Sequence, residues 1–125
     1  MLERIEKMSF EPLLYPVVLV PDTELGGFVA QVFDVPYAMA QGDTRDEALQ
    51  EVLLALDDVL ESNYFEHEAR RLVPLPSSTE NLTLDEIAPE EGALQGDVKD
   101  YLAFLALPEA LSRKIHDHNK KVAFE

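Results

Sequence analysis

The sequence predicts an α+β fold, in which a three-stranded antiparallel meander carries one packed helix and gains a fourth strand at its edge. Two apolar runs rich in β-branched and aromatic residues, 15–20 and 28–33, are typical of the first two strands. The turn between them contains Pro21, Asp22 and two glycines that can adopt positive φ. A third short stretch, 37–41, follows an Asp-Val-Pro break and precedes an amphipathic helix.

The helix is predicted to run from Arg45 to about Asn63. Thr44 fits the N-cap position and Glu47 the third helical position, and together they form a capping box. Helical spacing places a set of apolar residues on one side, which we expect to pack on the sheet. These residues are Ala48, Leu49, Val52, Leu53, Ala55, Leu56, Val59 and Leu60.

The opposite side of the helix is acidic and carries Glu47, Glu51, Asp57, Asp58 and Glu61. Leu54 does not fit the apolar side and points into the middle of this acidic face. Two interpretations stay open. In one, Leu54 is an apolar contact within a partner-facing surface. In the other, it touches a later part of the chain or is simply exposed, as single leucines often are.

Three further pieces follow the helix. Residues 72–76 are a short extended piece whose prolines remove ladder donors, so we predict residues 72–75 as the fourth strand, at the sheet edge. Residues 78–99 are predicted to be an acidic linker, with a helical turn expected around 84–87. Residues 100–125 form a strand–helix unit.

The strand–helix unit is predicted to mediate oligomerisation. Residues 101–107 form an apolar run with no evident strand partner in their own chain, and Pro108 with Glu109 favours a helix start. Apolar residues then recur at helical spacing. The pattern favours pairing with a second copy, as a dimer or higher oligomer, through Tyr101, Phe104, Leu107, Leu111, Ile115 and Val122.

The chain carries a formal net charge of −15, and that charge is unevenly distributed. Residues 1–97 hold 21 acids and 5 bases, a net −16, whereas residues 98–125 hold 5 bases and 4 acids, a net +1. A body this acidic repels nucleic acid phosphates and attracts a basic protein. Solubility is the alternative explanation for the charge.

Composition also bears on other classes of protein. The chain has no cysteine, which excludes disulfides and thiol catalysis. No apolar run is long enough to span a bilayer, and residues 1–14, an N-terminal extension, lack the apolar core of a secretory signal. A cytoplasmic location is therefore expected. Met8 offers a second translation start besides Met1, and the sequence leaves that choice open.

Four stretches within residues 15–77 stand out as a set. They read YPVVLVPD, GGFVAQVFDVP, AQGDTRDEALQEVLLAL and VPLPS. The most specific part is the Gly-Gly-aromatic strand, followed by the Asp-x-Pro break and Gln-Gly-Asp-Thr-x-x-Glu-Ala. Together these stretches resemble the N-terminal domain of HicB-type antitoxins. The resemblance implies that residues 15–77 are a toxin-binding domain with a partial RNase H-like fold.

The same resemblance implies an antitoxin that binds a small basic HicA-type toxin. Such toxins look like a double-stranded-RNA-binding domain and cleave RNA with a histidine. The acidic surface would cover the toxin's RNA-binding face and that histidine. The surface argument, and not a family motif, predicts contacts at Asp22, Glu24, Asp34, Tyr37, Glu47, Glu51, Leu54, Asp58 and Glu61.

HicB-type antitoxins continue into a DNA-binding module, either ribbon-helix-helix or helix-turn-helix. Residues 100–125 offer neither a second helix nor a recognition helix, so we expect this module to be truncated or absent. Two alternatives stay open. Besides the antitoxin, the chain could be a DNA-binding transcriptional autoregulator of its own operon, or an orphan regulatory binding domain without a toxin.

Enzymatic activity is not expected, and neither a cofactor nor a metal is predicted. An RNase H-type reaction needs several carboxylates that converge on divalent ions. The carboxylates near the predicted sheet are Asp22, Asp34, Asp43 and Glu47. They fall in a turn, at a strand break and at the helix start, and these places account for them. The histidines do not share one helix face at metal-binding spacing; they are His67, His116 and His118.

Overall fold

The computed structural model describes residues 12–66, 70–87 and 94–124. Its strands are β1 (Leu14–Pro21), β2 (Phe28–Val32), β3 (Met39–Gly42) and β4 (Leu102–Ala106). Its helices are α1 (Arg45–Leu60), which continues into a π-helical turn (Glu61–Phe65), the short α2 (Leu84–Ile87), a 3-10 turn (Val98–Tyr101) and α3 (Glu109–Ala123). The strands form one sheet in the order β3-β2-β1-β4, and each neighbouring pair is antiparallel.

The predicted three-stranded meander is present in β1, β2 and β3, and the α+β class is confirmed. The turn between β1 and β2 requires its glycines, because Gly26 and Gly27 have φ angles of 80° and 77°. A Cβ atom added to Gly27 would lie 2.4 Å from the carbonyl oxygen of Gly42. This close approach places the β1–β2 turn beside the end of β3 and the start of α1.

The position of the fourth strand differs from the prediction. Residues 70–79 contain no strand, and the strand that completes the sheet is β4. β4 pairs with β1 from Leu14↔Ala106 to Val18↔Leu102. The main chain of the earlier segment is instead hydrogen-bonded to the side chains of Asn119 and Tyr15.

Side chains of β1 and α3 form hydrogen bonds with residues 70–79, the extended segment that follows α1. Asn119 of α3 accepts a hydrogen bond from the Val73 N–H at 2.7 Å and donates one to the Val73 carbonyl at 3.0 Å. The Tyr15 hydroxyl donates to the Pro74 carbonyl at 2.6 Å. Burial, with a smaller effect from the charge of Asp34, raises the pKa of Tyr15 above its ordinary value. The hydroxyl therefore keeps the proton that this hydrogen bond needs.

The expectation that the C-terminal strand lacks a partner in its own chain is wrong. β4 lies against β1, and α3 packs on the core of the same chain. Leu107 and Ile115 are buried there, so their apolar surface is used within the chain. Ser112 of α3 also accepts a hydrogen bond from the Leu13 N–H at 3.1 Å. Oligomerisation through the other predicted residues stays a prediction; Phe104 is exposed, and Tyr101, Leu111 and Val122 are half-buried.

The two faces of the sheet are covered unequally. α1 and α3 contribute to the core on one face, where the fully buried residues include Tyr15, Leu19, Val52, Leu56 and Ile115. On the other face, Val18 packs against Ile87 of α2, which is the helical turn expected there. The segment predicted as a linker therefore helps to cover this face, through Leu82, Leu84, Ile87, Leu94 and Val98.

Candidate partner-binding surface

The local sequence fixes the start and the orientation of α1. Thr44 is the N-cap, and its side-chain oxygen accepts a hydrogen bond from the Glu47 N–H at 3.1 Å, as predicted. The predicted apolar side packs on the sheet and includes the four buried residues of the helix, Ala48, Val52, Leu56 and Leu60. Anchored in this way, α1 turns its opposite side to solvent.

An acidic stripe runs along the outer side of α1. We define it by five residues at spacings of four, three, four and three: Glu47, Glu51, Leu54, Asp58 and Glu61. Glu47, Glu51 and Asp58 are exposed, and Glu61 is half-buried. Leu54 lies in the middle of the stripe with 60% of its surface exposed. The structure therefore brings together these five predicted contact residues on one helix face.

A shallow apolar groove of about 380 Å³ borders the stripe. Leu53, Leu54 and Asp57 of α1 line one side, and the opposite side is formed by Pro108, Ala110, Leu111 and Lys114. Leu54 thus faces a later part of the chain and is also largely exposed, as the second interpretation expected, whereas its contact with a partner stays a prediction. Sequence reasoning missed the second wall, because Leu111 was assigned to an oligomerisation stripe. The signal for it was the apolar start of α3, at Pro108, Ala110 and Leu111.

The C-terminal end of the stripe contacts α3. Glu61 forms an ion pair with Lys114, with 2.7 Å between Oε2 and Nζ. The same ammonium lies 4.7 Å from the centre of the Phe65 ring, within cation–π range. Glu61 is therefore engaged within the chain, and its carboxylate is less available to a partner than the exposed carboxylates of Glu47, Glu51 and Asp58.

The predicted contacts in the β1–β2 turn have local roles. One carboxylate oxygen of Asp22 accepts hydrogen bonds from the N–H groups of Glu24 and Leu25, both at 3.0 Å. Its other oxygen accepts from the Gln41 side chain at 3.2 Å. Asp22 is therefore the turn former that its sequence context indicated. Glu24 is exposed beside it.

The predicted contacts after β2 lie at the other end of the sheet. Asp34 accepts hydrogen bonds from the N–H of Ser77, at 3.0 Å, and from its hydroxyl. Tyr37 is 84% exposed. The five residues of β2 separate this end from the β1–β2 turn by about 17 Å. The nine predicted contacts therefore do not form one cluster, and only the five of the acidic stripe share a helix face.

Two negative findings apply to the described part of the chain. Among its His, Asp and Glu side chains, no group of three or more is arranged to hold a metal ion. Among its helices, none is long and apolar enough to cross a bilayer.

Comparison with known proteins matches the chain to one family. The model for the HicB-like antitoxin of bacterial toxin-antitoxin systems covers residues 14–87. Antitoxin HicB 1 of Photorhabdus laumondii is 44% identical over 62 residues, which are 50% of this chain and 37% of that protein. Antitoxin HicB of Escherichia coli K12 is 41% identical over 63 residues, or 50% of this chain and 43% of that protein. Each match covers less than half the length of the curated relative.

A chain from a solved structure, a toxin-antitoxin complex from Streptococcus pneumoniae, has a similar fold. The TM-score is 0.51 at 18% sequence identity, over 81% of this chain and 72% of that chain. This likeness concerns the fold alone. The family model, by contrast, spans more than half of the chain. The protein therefore belongs to the HicB-like antitoxin family of bacterial toxin–antitoxin systems.

Proposed function

We propose that this chain is an antitoxin that binds a small, basic HicA-type toxin through the acidic stripe of α1. The observation that carries the proposal is the stripe itself. The exposed carboxylates of Glu47, Glu51 and Asp58 share one face of a rigid helix with the exposed side chain of Leu54. A surface of this kind offers charge complementarity to a cationic protein and an apolar contact at its centre.

The charge of the whole body supports the same partner. Residues 1–97 carry a net −16, so their field speeds the encounter with a basic protein and opposes the approach of a nucleic acid. A toxin that cleaves RNA needs Lys and Arg side chains to hold phosphates. The carboxylates of the stripe compete with RNA for those cations. Inhibition is then steric and electrostatic, and it covers the toxin's histidine together with its RNA-binding surface.

Leu54 supplies the apolar centre of the contact. Its exposed side chain continues into the groove formed with Leu53 and Leu111. Binding energy in interfaces concentrates in a few desolvated contacts that charged and polar residues surround. We therefore expect the toxin to present an apolar side chain, flanked by Lys or Arg, to this part of α1.

The test uses two variants of the stripe with a purified HicA-type toxin. Glu51→Lys/Asp58→Lys reverses the charge, and Leu54→Lys removes the apolar centre. We expect each variant to bind the toxin at least about tenfold more weakly and to lose protection of RNA from cleavage. For the double variant, most of the loss should appear as slower association that depends on salt. Pull-down, association kinetics and an RNA-cleavage assay measure these effects.

Matched controls separate the stripe from net charge. Glu80→Lys/Asp85→Lys changes the charge by the same amount on exposed residues away from α1. Leu72→Lys alters a leucine that is 54% exposed, close to the 60% of Leu54. Both controls should retain inhibition. If both stripe variants protect RNA like the wild type, the assignment of this helix face is refuted. If the controls lose inhibition equally, overall charge and not the stripe is responsible.

A further inference from the structure

The face of the sheet that lies opposite α1 is only partly covered. Side chains alternate along β1, so Leu19 lies in the core that α1 covers, whereas Val18 and Val20 point to the second face. α2 is a single turn, and its buried residue Ile87 packs on Val18. Beside Ile87 the second face opens into a groove of about 700 Å³.

The floor of this groove is apolar. It contains the half-buried side chains of Val20, Val29 and Phe33, from β1, from β2 and from the end of β2. Met39 of β3 continues the floor and is 52% exposed. A sheet face of this composition is stable when a second layer of structure covers it. The groove therefore offers apolar surface on which another element can pack.

The charged residues that line the groove are all acidic. Asp22 and Glu24 border it from the β1–β2 turn, and Glu86 borders it from α2. Glu24 and Glu86 are exposed, and none of the described lining residues is Lys, Arg or His. Carboxylates beside an apolar floor repel anions and attract cationic groups. The chemistry of the groove thus selects an occupant that is both apolar and positively charged.

We propose that this groove binds a cationic amphipathic helix of another protein. A helix is the element that covers a sheet face, and apolar residues at i, i+3, i+4 and i+7 give it one continuous stripe. That stripe packs on Val29 and Met39. Lys or Arg side chains beside the stripe reach the carboxylates of Glu24 and Glu86, which belong to two different elements at the border of the floor.

The groove and the acidic stripe of α1 lie on opposite sides of the sheet. α1 packs on the core face through Val52 and Leu56, whereas the groove is built on the other face. The inference therefore goes beyond the proposed function and does not depend on the toxin. Both surfaces are acidic with an apolar centre, so the experiment compares them directly.

The probe is a fluorescently labelled synthetic peptide of Leu and Lys, whose leucines recur at i, i+3, i+4 and i+7. A control peptide has the same composition, with its leucines spread around the helix. Fluorescence anisotropy with the full chain measures binding. We expect the first peptide to bind at least about tenfold more tightly, because the two carry equal charge and only the first presents a continuous apolar stripe.

Two variants of the groove are compared with one variant of the stripe. Glu24→Lys/Glu86→Lys reverses charge at the border, and Met39→Lys places a cation on the floor. Each should weaken binding of the first peptide roughly tenfold or more. Glu51→Lys/Asp58→Lys makes the same change in net charge on α1 and should bind the peptide like the wild type. Glu24 and Glu86 are exposed, so the double variant of the groove keeps the fold.

Three results would overturn the proposal: equal binding of the two peptides, groove variants that bind like the wild type, or a stripe variant that loses as much binding as the groove variants. The last result would mean that overall charge or the stripe attracts the peptide. A full chain that binds neither peptide would also overturn it, and would leave the groove to another segment of the same chain or to a second copy.

Discussion

The acidic stripe of α1 and the outer edge of β4, which no strand of the described residues pairs with, differ in what they offer. The stripe presents carboxylates around Leu54 on a helix whose main chain is satisfied internally. The edge presents main-chain donors and acceptors beside Phe104 and carries no charge of its own. Charged side chains favour a partner of opposite charge, whereas the unpaired main-chain N–H and C=O groups of an edge strand favour pairing with another strand. The two surfaces therefore suit unlike kinds of contact.

The two regions nevertheless share one core. Leu56 of α1 and Ile115 of α3 are both fully buried in the same cluster as Tyr15 of β1. The C-terminal unit is therefore part of the domain that presents the stripe, although the family model ends at residue 87. Variants in each region can show how far this dependence goes.

Truncation of the shared core is expected to have the largest effect. Leu56→Ala and Ile115→Ala should each lower the free energy of unfolding by about 2–5 kcal/mol, through lost burial and the cavity left behind. Leu54→Ala is the control on the same helix, and because Leu54 is 60% exposed its effect should stay within about 0.5 kcal/mol. Denaturant unfolding measures all three. Negligible destabilisation by Ile115→Ala would mean that the C-terminal helix is not part of the cooperative unit.

Loss of the hydrogen bonds between Asn119 of α3 and the extended segment should have the next largest effect on stability. Asn119→Ala removes both partners of the Val73 main chain, which lies at a buried residue. We expect a loss of about 1–3 kcal/mol in the free energy of unfolding. Asn81→Ala changes an exposed asparagine and serves as the control. Equal stability of the two variants would show that water replaces the Asn119 side chain without loss.

Substitution of Tyr15 should have a smaller effect on stability, and this effect should depend on pH. Burial raises the pKa of its hydroxyl in the folded chain, whereas an unfolded tyrosine ionises near about pH 10. Its contribution to stability is therefore present below about pH 10 and is lost as the pH rises further. Tyr15→Phe should remove that alkaline loss and cost about 1 kcal/mol at neutral pH, because the Pro74 carbonyl loses its donor. Unfolding curves at pH 7 and above pH 10 compare the two chains. An identical alkaline slope in both would assign it to other groups.

Removal of the exposed ion pair of α3 should have the smallest effect on stability. Glu109 and Arg113 lie four residues apart with 2.9 Å between Oε1 and Nη2, and both side chains are more than half exposed. Glu109→Gln should destabilise the chain by about 0.5 kcal/mol at low salt and by less at high salt. Thermal unfolding at two salt concentrations is the measurement. A loss as large as that of Asn119→Ala would show that surface charge, and not packing, holds the C-terminal unit.

The features that were predicted correctly depend on neighbouring residues. The glycines of the first turn, the Thr44 cap and the buried side of α1 follow from local conformational preference and helical periodicity. The exposure of Leu54 follows from the same periodicity. Local rules of this kind need no knowledge of the partner element, so the exposure of Glu47, Glu51 and Asp58 was predicted correctly, whereas their contact with a partner stays a prediction.

The errors have the opposite origin. Residues 101–107 were recognised as an apolar strand, but nothing in their own sequence indicates that β1 is the neighbour. Residues 72–75 were assigned to the sheet edge as a short extended piece with few ladder donors, and nothing in their own sequence indicates that they stay outside the sheet. Strand pairing is decided by long-range packing, since an apolar strand can form main-chain hydrogen bonds with any unpaired edge of a sheet. The contact of Asn119 with Val73 is equally invisible before the fold is known.

By itself, the sequence determined the α+β class, the faces of α1 and the concentration of negative charge before residue 98, because each depends on composition or on spacing within one element. Only the tertiary structure decided that β4 closes the sheet, that α3 forms the second wall of the groove beside Leu54, and that no strand of the described residues pairs with the outer edge of β4. These three features depend on which distant segments meet. That choice follows from the burial of the whole chain and not from the preferences of any single stretch.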